Sequence, residues 1–369
     1  MAGKTILIMP SVLFVCLHRP DRSPSQRFRF EQYLTFLEAN GYEVRFSYLL
    51  NAKDDKLFYA PGHYFSKFLI LWKSLWKRVR ETFFSRPADI VFVQRECFML
   101  GTSFFEKRFA RRSQLIFDFD DSIWLQNVSE ANKKLGFLKN AGKTKDIIKV
   151  ADLVIAGNQY LADYASQFNQ AVTIIPTTID TGQYTAKLVA DDDGPVVIGW
   201  SGSFTTIQHF EFALEPLRRI KAKYGDRVGF MVIGDGSYRN TELGITGQPW
   251  VAATELQDLQ QIDIGIMPLP DDEWAKGKCG LKGLQYMAAG IPTIMSPVGV
   301  NSEIIKDGEN GFLASTTDEW VEKLSQLVES VDLRRKLSVN GRRTVEEKYS
   351  IEANKQKYLE GMRIVLRDS

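Results

Sequence analysis

The sequence predicts an α/β protein of two doubly wound, Rossmann-like domains, each built on a parallel sheet. Three observations predict it. Short apolar runs alternate with longer amphipathic stretches, the pattern of parallel strands joined by crossover helices. A length of 369 residues suits two domains better than one. Glycine-bearing turns close strand-like runs in the second half, as at 198–203, and let backbone approach a ligand at a strand's carboxyl end.

In the first half, strands are expected at 4–9, 43–48, 89–94, 114–119, 152–156 and 172–175. One helix should cover 27–40, ended by Gly41 as the residue just past its C-terminus. The second half repeats the theme, with strands near 195–200, 228–233, 263–267, 291–295 and 312–314. Helices lie between them near 207–223, 280–289 and 317–330, and a last one near 351–366. The stretch 187–195, with Asp191-Asp192-Asp193-Gly194, reads as an exposed turn or linker.

Composition excludes several classes. A hydrophobic content of 44% with 25% charged residues is that of an ordinary globular protein. A net charge of +2 gives no global pull toward nucleic acid, so any basic function is local. Cys16, Cys97 and Cys279 are far apart, which argues for a reducing compartment and against structural zinc. His18, His63 and His209 leave little material for a histidine metal site. The apolar run 12–17 meets His18 and Arg19 without a cleavage signal, and no stretch reaches the ~20 apolar residues of a membrane span. The chain is therefore expected to be cytoplasmic.

The most informative stretch is 273–299, EWAKGKCGLKGLQYMAAGIPTIMSPVG. Lys276, Lys278 and Lys282 crowd around Gly277 and Gly280, just before an alanine-rich helix that ends at Gly290. Lysine at a helix N-terminus is disfavoured by the dipole, unless an anion sits between cations and helix. Phosphate is the usual anion. The alternative is a solvated basic loop capped by glycine. Upstream, Gly202 and Ser203 end a strand and open a loop with Thr205 and Thr206, either a second phosphate contact or a plain strand-to-helix turn.

These residues resemble the donor segment of retaining glycosyltransferases of family 4, the "group 1" transferases of GT-B fold. In that family a glycine-rich loop and helix N-terminus hold the donor diphosphate, followed by a helix similar to EAMAxGxPVV. Gln285-Tyr286-Met287-Ala288-Ala289-Gly290-Ile291-Pro292 fills that pattern. Gly299, Glu303, Gly308 and Asn310-Gly311-Phe312 resemble its later GG-x-x-E…DG-x-NG run. A subgroup reading W-x-KGK-x-x-x-K-x-LQYMAAG is especially similar. The two family glutamates eight residues apart correspond here to Gly277 and Gln285. Gln285 retains the capacity to bond ribose, whereas Gly277 leaves the sugar to be gripped by backbone amides from Lys278 through Cys279 and Gly280 to Leu281.

The resemblance implies two Rossmann-like domains facing a cleft: residues 1–177 for the acceptor and 178–350 for the nucleotide sugar, with the helix at 351–369 crossing back to the first. The join falls at Pro176-Thr177-Thr178-Ile179-Asp180, similar to the family's P-N-G-I-D hinge. Trp250 and Glu255 fall where the family builds its base pocket; Trp250 would stack on the base or serve as a core residue. In place of the family's Gly-Arg…Lys-Gly, this chain has Ser203 and its threonines, so Lys276, Lys278 and Lys282 would supply the positive charge.

In the first half, Asp118, Asp120 and Asp121 end the strand at 114–119. Alternation puts Asp118 and Asp120 on one face, where mutual repulsion would raise at least one pKa. Asp120 occupies the place of a histidine that the family sets beside the reacting carbon, and Asp121 that of the following aspartate. The alternatives are helix capping or a metal-binding D-x-D of the unrelated GT-A type. Ser25-Gln26-Arg27-Phe28-Arg29 resembles an S-x-R-x-R opening of some members; Arg27 and Arg29 diverge on a helix, and Arg29 is the one expected to meet the acceptor. Glu96, after the strand at 89–94, would bond an acceptor hydroxyl or pair with Arg95 on the surface.

Residues 64–84, YFSKFLILWKSLWKRVRETFF, put Phe65, Phe68, Trp72, Leu75, Trp76, Val79 and Phe83 at helical spacing, with Lys67, Lys73, Lys77, Arg78 and Arg80 against Glu81. Such a helix either lies in a lipid headgroup interface, giving the protein a peripheral membrane position, or packs its apolar side on the first sheet. Lys133, Lys134, Lys139, Lys143, Lys145 and Lys149 add a second basic stretch.

The function this implies is transfer of a sugar from a nucleotide-diphosphate sugar to the hydroxyl of a lipid-linked or membrane-associated glycan precursor. The anomer would be retained, with no metal and no other cofactor. Two other classes remain: another GT-B nucleotide-sugar enzyme such as a 2-epimerase, or a non-catalytic subunit of the same fold.

Overall fold

The structure, a computed structural model, describes residues 9–125, 140, 142–189 and 194–367. The chain divides into two compact units, one of residues 1–176 with 355–369 and the other of residues 177–354.

The first unit holds β1 (Ser11–His18), α1 (Pro24–Arg29), α2 (Leu34–Ala39), β2 (Glu43–Leu50), α3 (Ala52–Tyr59), α4 (Tyr64–Val79), β3 (Ile90–Gln94), α5 (Phe104–Phe109), β4 (Gln114–Phe119), α6 (Gly142–Val150), β5 (Leu153–Ala156), α7 (Gln159–Ser166) and β6 (Val172–Ile174). Its sheet runs β2-β1-β3-β4-β5-β6, every pair parallel. β3 is buried throughout its length, as the middle strand of a sheet covered on both faces must be.

Two differences from the sequence reading concern this unit. Most of the strand expected at 4–9 lies outside the described residues, and the first described strand is Ser11–His18, grown from the apolar run 12–17. The helix expected at 27–40 is broken into α1, a 3-10 turn at Glu31–Tyr33 and α2. The reason is packing. Phe28, Arg29 and Phe30 are all buried, more than the single apolar stripe of a helix lying on one face of a sheet would bury. Phe30 leaves helical geometry (φ −136°) and stacks on Phe14 of β1 at 5.0 Å. Gly41 ends the segment at φ +87°.

The second unit holds β7 (Val196–Ser201), α8 (Ile207–Glu211), α9 (Leu214–Tyr224), β8 (Val228–Ile233), β9 (Arg239–Asn240), β10 (Ile245–Thr246), α10 (Glu255–Leu259), β11 (Ile264–Met267), α11 (Glu273–Lys276), α12 (Leu281–Ala288), β12 (Thr293–Met295), α13 (Asn301–Ile304), β13 (Phe312–Leu313), α14 (Thr317–Glu329) and α15 (Val331–Thr344). The main sheet is parallel, ordered β13-β12-β11-β7-β8, and β9 with β10 forms a small antiparallel pair. Trp200, Leu217, Ile264, Ile294 and Leu324 lie in its core.

The helix expected at 207–223 is again two, because Pro216 cannot share a continuous helix with the carbonyl four residues earlier. α14 starts with a capping box between Thr316 and Glu319. α15 was not expected: its sequence VDLRRKLSVNGRRT has too few apolar residues to show a stripe, and it buries little beyond Leu337, Ser338 and Gly341. Asp191, Asp192 and Asp193 of the expected linker lie outside the described residues, as do Lys133, Lys134 and Lys139.

The last helix, α16 (Ile351–Arg367), places all but its first turn in the first unit, from Lys355 onward. There Tyr358 stacks on Tyr33 at 4.1 Å and donates to the carbonyl of Arg29. Among the described residues no helix is long and apolar enough to cross a membrane.

Candidate functional site

The second unit gathers its chemistry at the end of β7 and the start of α12. Ser201, the last residue of β7, donates its backbone N–H to the Tyr286 hydroxyl of α12 at 2.6 Å. That bond fixes strand end and helix to each other; burial pushes the Tyr286 phenol up to about 12. Gly202 follows, and a Cβ there would lie 2.1 Å from the Trp200 indole, so only glycine lets the chain turn over that ring. Ser203 bonds within its own turn, to Thr205 at 2.9 Å and Thr206 at 3.2 Å between hydroxyls.

Gly280 is the N-cap of α12 at φ +70°, a left-handed conformation costly for other residues, and a Cβ there would lie 2.3 Å from Ile304. Cys279 before it is buried, Leu281 opens the helix, and Gly277 caps α11. Lys282 places its ammonium 5.0 Å above the Trp200 ring, and Lys278 lies 5.4 Å from the Trp274 ring. His209 of α8 lies within the field of both. Burial pushes its pKa down to about 4, with Lys282 and then Lys278 pushing the same way. It is 5% exposed, and its Nδ1 has no hydrogen-bond partner among the described residues. Lys276 faces the other way chemically, held by Glu273 at 2.8 Å.

One turn along α12 from Lys282, Gln285 joins a second cluster. Its amide donates to the Tyr184 hydroxyl at 2.7 Å and to Glu255 at 3.3 Å. Glu255 also accepts from the Trp250 indole at 2.8 Å and from Tyr184 at 3.0 Å. The structure thus brings Trp250, Glu255 and Gln285 together around Tyr184, a residue the sequence reading missed. A lone tyrosine 71 positions from its partner Glu255 carries no local signal. Glu303 is exposed on α13, apart from this network of bonds.

In the first unit, the carboxyl ends of the neighbouring strands β3 and β4 carry a charged cluster. Asp120 accepts from Arg95 Nε at 2.7 Å and from the Ser25 hydroxyl at 2.5 Å, and Gln94 donates to that same hydroxyl at 2.8 Å. Burial pushes the Asp120 pKa up, but Arg95, Arg29 and Ser25 together outweigh it and hold the carboxyl below its ordinary value. Arg95 sits at φ +62°, an uncommon conformation for arginine, and also reaches Asp121 at 3.9 Å. Glu96 pairs with the buried Lys143 at 2.6 Å, not with Arg95.

Arg29 and Asp118, both expected to face the acceptor, instead face each other. Arg29 is 1% and Asp118 0% exposed, with Nη2 to Oδ1 at 2.5 Å and a further bond from Arg29 to the Ile175 carbonyl. Burial dominates and raises the Asp118 pKa despite Arg29. The sequence argument rested on a continuous helix; breaking it at Phe30 turns Arg29 inward. Arg27 lies over the Phe28 ring at 5.0 Å. Both carboxylates of the D-x-D stretch are therefore occupied by guanidinium groups.

The topology, with parallel sheets of six and five strands, and the sites at strand ends define a GT-B fold. Structural neighbours agree. Sucrose-phosphate synthase from Thermosynechococcus elongatus is similar over 98% of this chain and 100% of its own, at TM-score 0.68 and 14% identity. Anabaena HepE, solved with UDP and glucose, is similar over 96% of this chain and 100% of its own, at TM-score 0.63 and 13% identity. The lipopolysaccharide outer core galactosyltransferase WaaB is similar over 95% of this chain and 99% of its own, at TM-score 0.60 and 14% identity. Residues 195–330 match the family of group 1 glycosyl transferases. No protein of curated function matches the chain in sequence. Together these findings support a glycosyltransferase enzyme of GT-B type.

Proposed function

We propose that this chain is a family 4-like hexosyltransferase that moves a sugar, with retention, from a nucleotide-diphosphate sugar to an acceptor hydroxyl. The observation that carries the proposal is the pairing of Lys278 and Lys282 with the glycine-capped start of α12, beside the β7 turn at Gly202 and Ser203. As the anomeric C–O bond breaks, negative charge grows on the departing diphosphate. Two ammonium groups and the first amides of α12 are arranged to receive it, the electrostatic role commonly largest in such sites. These cations take the place of a metal, so none is proposed. Trp250, Glu255 and Gln285 form the nucleoside end of the donor site, with Tyr184 ordering them.

The first unit, residues 1–176 with 355–369, is assigned the acceptor, and the second, residues 177–354, the donor. The acceptor hydroxyl attacks the anomeric carbon while its proton passes to the departing phosphate oxygen. Asp120, kept ionised by Arg95, orients that hydroxyl, with Asp121 and Glu96 near it on adjoining strand ends. The acceptor proposed is a lipid-linked or membrane-associated glycan precursor, in polysaccharide biosynthesis at the cytoplasmic face. WaaB, named for transfer to lipopolysaccharide, is a neighbour consistent with that class. HepE makes UDP-sugars the first donors to try.

The test is thermal unfolding with UDP-, GDP- and dTDP-sugars, because a donor at 100 times its Kd adds about 2.7 kcal/mol. Wild-type protein is expected to be stabilised by one base class, and Lys278→Ala to lose that shift while melting at the same temperature without ligand. An unaltered donor shift and turnover in Lys278→Ala would remove the basis of the proposal.

A further inference from the structure

We infer that the outward face of α4, continued by Phe83, Phe84 and Phe104, is a preformed docking surface for an anionic lipid bilayer. Helix α4 has two opposite rows. Ile70, Ser74, Arg78 and Thr82 point into the first unit, and Arg78 is completely enclosed. Its guanidinium donates to the Cys97 carbonyl at 2.7 Å, the Ser47 hydroxyl at 2.7 Å, Glu81 at 2.6 Å and the Cys16 carbonyl at 2.9 Å. Three of those bonds bind the helix to β1, β2 and Cys97 after β3, and the fourth, to Glu81, braces the guanidinium within the helical segment. The helix is held rigidly, whatever meets its other side.

The other side is aromatic and exposed. Phe65 is 73%, Trp72 60% and Trp76 62% exposed, with Tyr64, Phe68 and Leu69 beside them. A five-residue π turn at Arg80–Phe84 carries the surface on, where Phe83 stacks on the exposed Phe104 at 6.1 Å and Arg108 covers Phe83 at 4.7 Å. Large exposed apolar patches on otherwise ordinary proteins mark interaction sites. The stripe expected from helical spacing is thus real, and it is not the face that packs on the sheet.

Charge and shape select the occupant. From 64 to 86 the enclosed Arg78 is taken up by Glu81, which leaves Lys67, Lys73, Lys77, Arg80 and Arg86 as the cations of the segment, Lys73 paired with Asp54 at 2.5 Å. Lys73 and Arg80 are exposed along the edge of the aromatic row. Tryptophan and phenylalanine bordered by lysine and arginine match a headgroup layer, with rings at acyl depth and ammonium groups at lipid phosphate. The face is one convex helix about 24 Å long, which suits a planar interface. The meaning of this surface for sugar transfer rests on the lipid-linked acceptor proposed above, but its measurement does not.

The experiment is sedimentation of the full chain with vesicles of phosphatidylcholine alone or mixed with phosphatidylglycerol. Wild-type protein should bind the mixed vesicles, lose binding as salt rises, and shift its tryptophan emission to the blue. Far-UV dichroism should not change, because the helix already exists. Replacing Phe65, Phe68, Trp72 and Trp76 by serine should weaken binding by about tenfold or more. Should that variant unfold, Lys73→Glu with Arg80→Glu should remove the salt-dependent part alone. Donor-induced thermal stabilisation of the same variants should match wild type, which separates a failure of docking from a failure of the donor site. Absence of vesicle binding by wild type, or equal binding by the variants, would overturn the inference. So would a wild-type dimer that the serine variant turns into monomer, since the face would then belong to a second copy.

Discussion

The charged clusters of the two units differ in what their cations lie against. Around the ends of β3 and β4 in the first unit Arg29 meets Asp118, Arg95 meets Asp120 and Lys143 meets Glu96. In the second, Lys278 and Lys282 meet the faces of Trp274 and Trp200. A cation over an aromatic ring gains about 0.5–2 kcal/mol, whereas breaking a buried ion pair costs about 3–5 kcal/mol. The arginines of the first unit are therefore committed to holding β3, β4 and α1 in place. Lys278 and Lys282 of the second lie over rings beside the glycine-capped start of α12, where the diphosphate is proposed to bind. Lys276 pairs with Glu273 on the surface, an exposed contact that holds it only weakly, although it stands in the same sequence motif.

The largest expected effect tests the committed side. Arg29→Met leaves the buried Asp118 carboxylate without its partner and should lower unfolding free energy by about 3–5 kcal/mol, read by urea denaturation. Adding Asp118→Leu should restore much of the loss. A single variant as stable as wild type would show that the pair contributes little.

Next comes the lysine side of the comparison. Lys282→Ala should slow sugar transfer by about 10²–10³, the scale of losing one charge-stabilising donor, with little change in melting temperature. Lys276→Ala should change turnover much less. Equal losses in the two variants would erase the distinction drawn between them.

The smallest effect concerns His209, neutral beside the lysines. Its folded pKa, about 4, lies below the ordinary 6.5, so the unfolded chain takes up a proton first as pH falls. Its contribution to stability is complete above about pH 6.5 and is lost as pH drops toward 4. His209→Gln should flatten the stability-pH curve in that window. His18 contributes with the same sign, since burial lowers it to about 4 despite Asp55, so the flattening should be partial.

Much of the donor side was legible in the chain. Lys278, Gly280, Lys282 and Gln285 are close in sequence, and a helix repeats every 3.6 residues, so spacing alone sets what shares its first turns. Trp250 and Glu255 were named through resemblance, but only folding shows that Tyr184 joins them to Gln285. The acceptor side was less legible. Arg29 and Asp118 are 89 positions apart, and no local pattern pairs them. The helix break that turns Arg29 inward follows from Phe30 seeking Phe14, a tertiary demand.

By itself the sequence determined the alternation of strand and helix, the parallel α/β class, the glycine-capped basic start of α12 and the aromatic stripe of 64–84. Each depends on neighbours a few residues apart, where backbone sterics and residue period act directly. Tertiary structure alone decided which side of α4 meets solvent, because the enclosed Arg78 outweighs the apolar row in seating the helix. It decided likewise that Arg29, Arg95 and Lys143 meet Asp118, Asp120 and Glu96. Those outcomes turn on desolvation, and how far a charge is desolvated depends on what the rest of the chain packs around it.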